Sequence, residues 1–150
     1  MTFLFSALLA QSVQARPLEI LVVTYNKEVV PIPPTEQTRL VDFLGNAAAK
    51  GDIDQIEIAV WSDKNFPAKN TALPKTDQDF AEDRGEMLQD PVEDNVDLAD
   101  VDVFNMADIT NPLVREDDTT LSKQEILAIK TSGGPRKAVV LVKFRGDDTR

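Results

Sequence analysis

The stretch IEIAVWSD, Ile56 to Asp63, alternates Ile56, Ile58 and Val60 with Glu57, Ala59 and Trp61, then breaks at a serine and an aspartate. Successive side chains of a strand point to opposite faces, so the alternation predicts a half-buried β-strand whose C-terminal end opens into a loop. That loop is polar and runs from Ser62 to about Thr76, with Pro67 and Pro74 in it. Beyond it the period changes. In TDQDFAEDRGEML, Thr76 to Leu88, residues Phe80, Arg84, Met87 and Leu88 fall near one face of a helix, and Pro91 is expected to end it. A strand feeding a helix through a loop is the repeating unit of a layered α/β domain.

The flanking sequence extends the unit both ways. LEILVVTY, Leu18 to Tyr25, is a β-branched apolar run that reads as a buried strand. NKEVVPIPP follows as an irregular connection, because Pro31, Pro33 and Pro34 stop regular pairing. From Thr35, Leu40, Phe43, Leu44 and Ala47 are spaced as one helical face, with Gly51 at its expected C-terminal cap. On the other side, VEDNVDLAD is an acidic link and Val101 to Met106 a third strand. Ser122 and Glu125 have the spacing of a capping box, with Leu121 and Ile126 as its hydrophobic staple, predicting a short helix from Lys123 to Lys130. Gly133-Gly134-Pro135 then turns the chain into a last strand, Lys137 to Phe144, and the tail GDDTR is expected to fray. The order is β-α-β-α-β-(α)-β, with no internal repeat. It predicts an α/β (α+β) sandwich with helices packed on one mixed sheet.

The chain has 150 residues, enough for one domain with a real core. Its net charge of -10 argues against nucleic acid and anionic membrane surfaces as partners, since the summed field repels both. Cysteine and histidine are absent, which excludes disulfides, thiolate chemistry, Cys/His zinc sites and a histidine general base. FLFSALLA, Phe3 to Ala10, followed by small residues at Val13 and Ala15, reads as a secretory signal peptide over residues 1–15, cleaved before Arg16, with one domain over 16–150. No Lys or Arg precedes Phe3, and an apolar first element of the fold is the competing reading. The run is too short to span a bilayer, so no transmembrane segment is expected in the mature chain.

Catalytic readings fail on spacing. Ser62, Ser122 and Ser132 lie outside any G-x-S-x-G context, and SGGPRK lacks the strand-to-helix frame and the Ser/Thr of a phosphate loop. EDNVDLADVD has neither the sixth-position glycine nor the twelfth-position glutamate of a calcium loop. With 26 carboxylates in the chain, a pair of them carries no information about glycoside hydrolysis. No enzyme activity, cofactor or metal is therefore expected.

One arrangement remains. In a strand-loop-helix unit the helix packs back on the sheet, so Asp63 at the strand's end and Arg84 in the helix can flank one shallow pocket. Such a pair suits a zwitterion, the guanidinium forking a carboxylate and the aspartate receiving an ammonium. The bland alternatives are a helix-surface salt bridge for Arg84, a turn-forming role for Asp63, and Trp61 packed against the first helix.

The spacing of these residues resembles that of the OmpA-like C-terminal domain, the peptidoglycan-binding module of Gram-negative envelopes. That family carries a G-H-T-D turn, then N-x-x-L-S-x-x-R-A-x-x-V-x-x-x-L, then N-R-R-V opening the last strand. Val60-Trp61-Ser62-Asp63 falls at the turn, Asp77 to Val92 follows the helix motif without a gap, and Pro135-Arg136-Lys137-Ala138 falls at the last motif. Asn111-Pro112 falls where the family tends to have a proline. The resemblance runs in order over about residues 18 to 144 and lies in pattern more than identity. Trp61 replaces histidine, Asp77 asparagine, Ala81 serine, Gly85 alanine and Pro135 asparagine, and the loop before the helix is longer.

The resemblance implies that Arg84 pairs with a carboxylate of diaminopimelate in the peptide stem, that Asp63 helps hold the same group, and that Ser62, Asp77 and Arg136 belong to the site. It implies a periplasmic protein associated with the outer membrane or the cell wall, with peptidoglycan as partner. A second function is a diverged scaffold that has lost peptidoglycan binding and assembles with an envelope protein; the substituted motif positions and the acidity favour it.

Overall fold

The computed structural model describes residues 18–65, 71–96, 99–108, 110–111 and 121–146. The leader expected over 1–15, Pro112, the middle of the long polar loop and the last four residues of the tail lie outside them. The elements are β1 (Glu19–Thr24), α1 (Pro34–Lys50), β2 (Ile53–Val60), α2 (Lys75–Asn95), β3 (Asp100–Asn105), α3 (Lys123–Ser132) and β4 (Lys137–Phe144). This is the expected α+β order, β-α-β-α-β-α-β. The four strands form one mixed sheet in the order β1-β4-β2-β3. β4 runs antiparallel to both neighbours, with Val140 opposite Leu21 and Ile58, and β2 runs parallel to β3. Among the described residues no helix is long and apolar enough to cross a membrane.

The last strand in sequence lies inside the sheet, which explains its composition. Ala138 to Val142 are all buried, as a strand covered on both faces must be. On one face α1 and α2 bury Leu40, Leu44, Ala81, Leu88 and Val92 against Leu21, Val23, Ile56, Ile58, Val60 and Val140. On the other, α3 brings Ile129 and Leu121 onto Ala59, Trp61, Val139 and Leu141. The alternation in β2 predicted one solvated face; in the folded chain Glu57, Ala59 and Trp61 are buried too, because α3 covers that second face.

Trp61 accordingly lies on the α3 side and does not pack against α1. Its ring fills the space over Gly133 at the end of α3, where a methyl group would overlap the indole. The cap that starts α3 is the one its sequence predicts: Ser122 Oγ accepts from Glu125 N, and Glu125 Oε1 accepts from Ser122 N. Leu121 and Ile126 join the same apolar cluster.

Pro91 does not end α2, which continues to Asn95. A proline inside a helix deletes one N–H bond and costs about 3 kcal/mol. Here the extra turn buries Val92 completely and leads into Val96, itself 9% exposed. Burial at about 1.5–3 kcal/mol per large aliphatic side chain offsets that cost. Asn95 Nδ2 donates to the Pro91 carbonyl at 2.7 Å and closes the last turn.

Candidate functional site

The end of β2 and the start of α2 meet under the loop that joins β1 to α1. Asp63, just beyond β2, extends its carboxylate between them. Its Oδ1 accepts from Arg84 Nη2 at 2.9 Å and its Oδ2 from the backbone N–H of Glu28 at 2.6 Å. Glu28 has φ 60°, a left-handed conformation rare for a residue with a Cβ, and the bond that its N–H donates to Asp63 falls at that turn.

Arg84 lies deeper than a surface salt bridge allows: its side chain is 0% exposed, that of Asp63 21%. Nε donates to Val29 O, Nη1 to Trp61 O, and Nη2 to Asn26 O as well as to Asp63. These four bonds occupy most of a guanidinium's five N–H groups. Its two flat faces are covered as well, with Cζ 4.5 Å from the ring centroids of both Tyr25 and Phe80. Burial pushes the Tyr25 hydroxyl up to about 12, opposed by Arg84, so the ring stays neutral and its face remains a partner for the cation. Arg84 thus binds the β1–α1 loop, the end of β2 and α2 into one block.

Above this block lies a pocket of about 390 Å³. Lys27 and Glu28 line it from the β1–α1 loop, Asp63 and Lys64 from the end of β2, and Thr76, Asp77 and Phe80 from the start of α2. Phe80 forms both the pocket wall and the lid over Arg84. Lys64 Nζ lies 3.0 Å from Asp77 Oδ2.

Of the five residues singled out in the sequence, Asp63 and Asp77 line the pocket and Arg84 lies behind it. Ser62 and Arg136 hold the backbone around the site. Ser62 is buried, its Oγ accepting from Lys64 N and its carbonyl from Arg136 N at 2.8 Å. Arg136, at φ 62°, returns its own carbonyl to Tyr25 N at 2.7 Å, so it ties the ends of β1 and β2 together as β4 begins. Its side chain does not line the pocket. Lys27, Lys64 and Phe80 were not expected in the site. Two had signals: Lys64 follows Asp63 directly, and Phe80 precedes Arg84 by one helical turn, where side chains meet.

No model of a known protein family matches the chain, and no similar curated protein is found.

Proposed function

We propose that the chain is a non-catalytic peptidoglycan-binding domain of a bacterial cell envelope, working in the periplasm at the outer membrane or cell wall. Its ligand is the diaminopimelate-containing stem peptide, held in the pocket beside Asp63. One observation carries the reading: Asp63 and Arg84, twenty-one positions apart, meet at 2.9 Å at the edge of a pocket lined by groups of both charges. A zwitterionic amino-acid end finds opposite charges there, with Asp63 and Glu28 for its ammonium and a lysine for its carboxylate. The OmpA-like spacing around both residues and the order of the elements support the same reading.

Sedimentation with purified sacculi tests it. The chain is expected to pellet with sacculi that contain meso-diaminopimelate and to stay in solution with sacculi that carry lysine at that stem position. Retention in the supernatant with both sinks the proposal.

A second reading is favoured by the burial of Arg84. A guanidinium with no exposed surface and four bonds to protein acceptors is built like a structural strut. In this reading the domain is a diverged OmpA-like scaffold that assembles with an envelope protein. Absence of sacculus binding, with a cross-linked envelope protein recovered from cells, is its expected signature.

A further inference from the structure

The pocket needs a cation that a ligand can reach, and Arg84 is not one. Its side chain has no exposed surface, four of its five N–H groups are bonded within the protein, and Phe80 covers it on the pocket side. We infer that Lys64, held by Asp77, is the residue that receives the ligand's carboxylate, while Arg84 acts through Asp63 as a positioning residue. The inference rests on the peptidoglycan reading and adds the contact that gives it specificity.

Three observations meet at Lys64. It lines the pocket, and its side chain is 56% exposed where that of Asp77 is 15% exposed. Its ammonium is held at 3.0 Å from Asp77 Oδ2, which leaves two of its three N–H donors for another acceptor. Its backbone is fixed by the bond from Lys64 N to Ser62 Oγ at 3.0 Å, and it follows an aspartate anchored through both oxygens. Lys27, the other lysine of the pocket, has no such ion pair among the described residues.

The arrangement also accounts for the acid at position 77. An asparagine can donate a hydrogen bond to a carboxylate and an aspartate cannot. Paired with Lys64, Asp77 instead orients an ammonium, whose charge-assisted bonds are about twice as strong as neutral ones. A zwitterion then has separate partners, Lys64 for its carboxylate and the Asp63–Glu28 edge for its ammonium.

The test uses two soluble disaccharide–tripeptide muropeptides, one with the side-chain carboxylate of diaminopimelate free and one with it amidated, titrated calorimetrically against the chain. The wild type is expected to prefer the free carboxylate. Lys64→Gln is expected to weaken that binding by about tenfold or more, the scale of a hydrogen bond to a charged group, and to erase the preference. Lys75→Gln, which removes a charge from an 83% exposed lysine that does not line the pocket, controls for net charge and is expected to leave both affinities within twofold. If Lys64→Gln binds the free form as the wild type does, the Lys64 contact is overturned and peptidoglycan binding stands. Equal losses for the two muropeptides also overturn the carboxylate contact. If the wild type binds neither muropeptide nor sacculi, both proposals fall.

Discussion

Arg84 decides how the site is built, because a buried guanidinium is costly unless its donors are met and its charge is opposed. Carbonyls of Asn26, Val29 and Trp61 meet the donors, Asp63 opposes the charge, and two aromatic rings close the faces. An exposed pair is worth about 0–1 kcal/mol, and its arginine is freely replaceable. Removing one partner of a buried pair leaves the other uncompensated and costs about 3–5 kcal/mol. Arg84→Met is therefore expected to lower unfolding free energy by an amount in that range, read from urea denaturation. Arg84→Lys is expected to recover only part of it, since an ammonium cannot reach four acceptors spread in the plane of a fork. A loss below 1 kcal/mol for Arg84→Met returns Arg84 to the surface role. The acids around it in TDQDFAEDRGEML divide by position: Asp77 and Asp79 pair with Lys64 and Lys75, while Glu82, Asp83 and Glu86 lie on the exposed side of α2.

The joint between α3 and the sheet is where an element's behaviour follows from one proton. Glu57 is in the middle of β2, 1% exposed, and neither of its oxygens has a hydrogen-bond partner among the described residues if it is ionised. It faces Glu125 in the first turn of α3, with Lys143 of β4 at 3.3 Å from Glu125 Oε2 and Asp102 of β3 nearby, bonded to Gln55. Burial first, and then Glu125 and Asp102, push the Glu57 carboxyl up to about 8 against the pull of Lys143. Burial acts to raise Glu125 as well, but the Ser122 N–H, Glu57 and Lys143 together hold it below the usual range. One proton shared between the two carboxyls would satisfy the pair. The unfolded chain releases the Glu57 proton near pH 4.5, whereas the native state keeps it to about pH 8. Its contribution is thus complete below about pH 4.5, shrinks as pH rises between those values, and is gone above about pH 8. The loss is on the order of a few kcal/mol. Glu57→Gln keeps the shape and a donor toward Glu125, so it is expected to flatten unfolding free energy between pH 5 and pH 8. Wild-type stability that does not fall across that interval excludes the shared proton.

At the scale of the whole molecule, what was legible in the sequence was whatever has a local cause. The strands β2 and β4, the face of α1 and the capped start of α3 follow from side-chain period and cap chemistry over a few residues. The continuation of α2 through Pro91 does not, because it depends on Val92 and Val96 finding a core supplied by other elements. Nor does the burial of both faces of β2, which follows from strand order. In the site, Asp63 and Arg84 were brought together by the logic of a strand-loop-helix unit, while the depth of Arg84 was hidden. Two of its acceptors are main-chain carbonyls more than fifty positions away, and a carbonyl has no residue type to read. Net charge is a property of the same scale. Twenty-six acids against sixteen bases leave -10, and compaction brings the excess together. Raising salt from 10 mM to 150 mM shortens the screening length from about 30 Å to about 8 Å. That weakens the surface pairs Arg39–Glu36, Lys50–Glu19 and Lys75–Asp79 and leaves the Asp63–Arg84 pair, whose guanidinium is fully buried, little changed. It also relieves repulsion across the whole surface, by an amount on the order of 1–2 kcal/mol for a charge of this size. Screening weakens these three pairs without abolishing them, whereas ten excess negative charges repel throughout the surface, so the melting temperature is expected to rise by about 2–8 °C over that salt range. Calorimetry in NaCl at pH 7 measures it, and a fall in melting temperature assigns the larger share of surface electrostatics to the ion pairs.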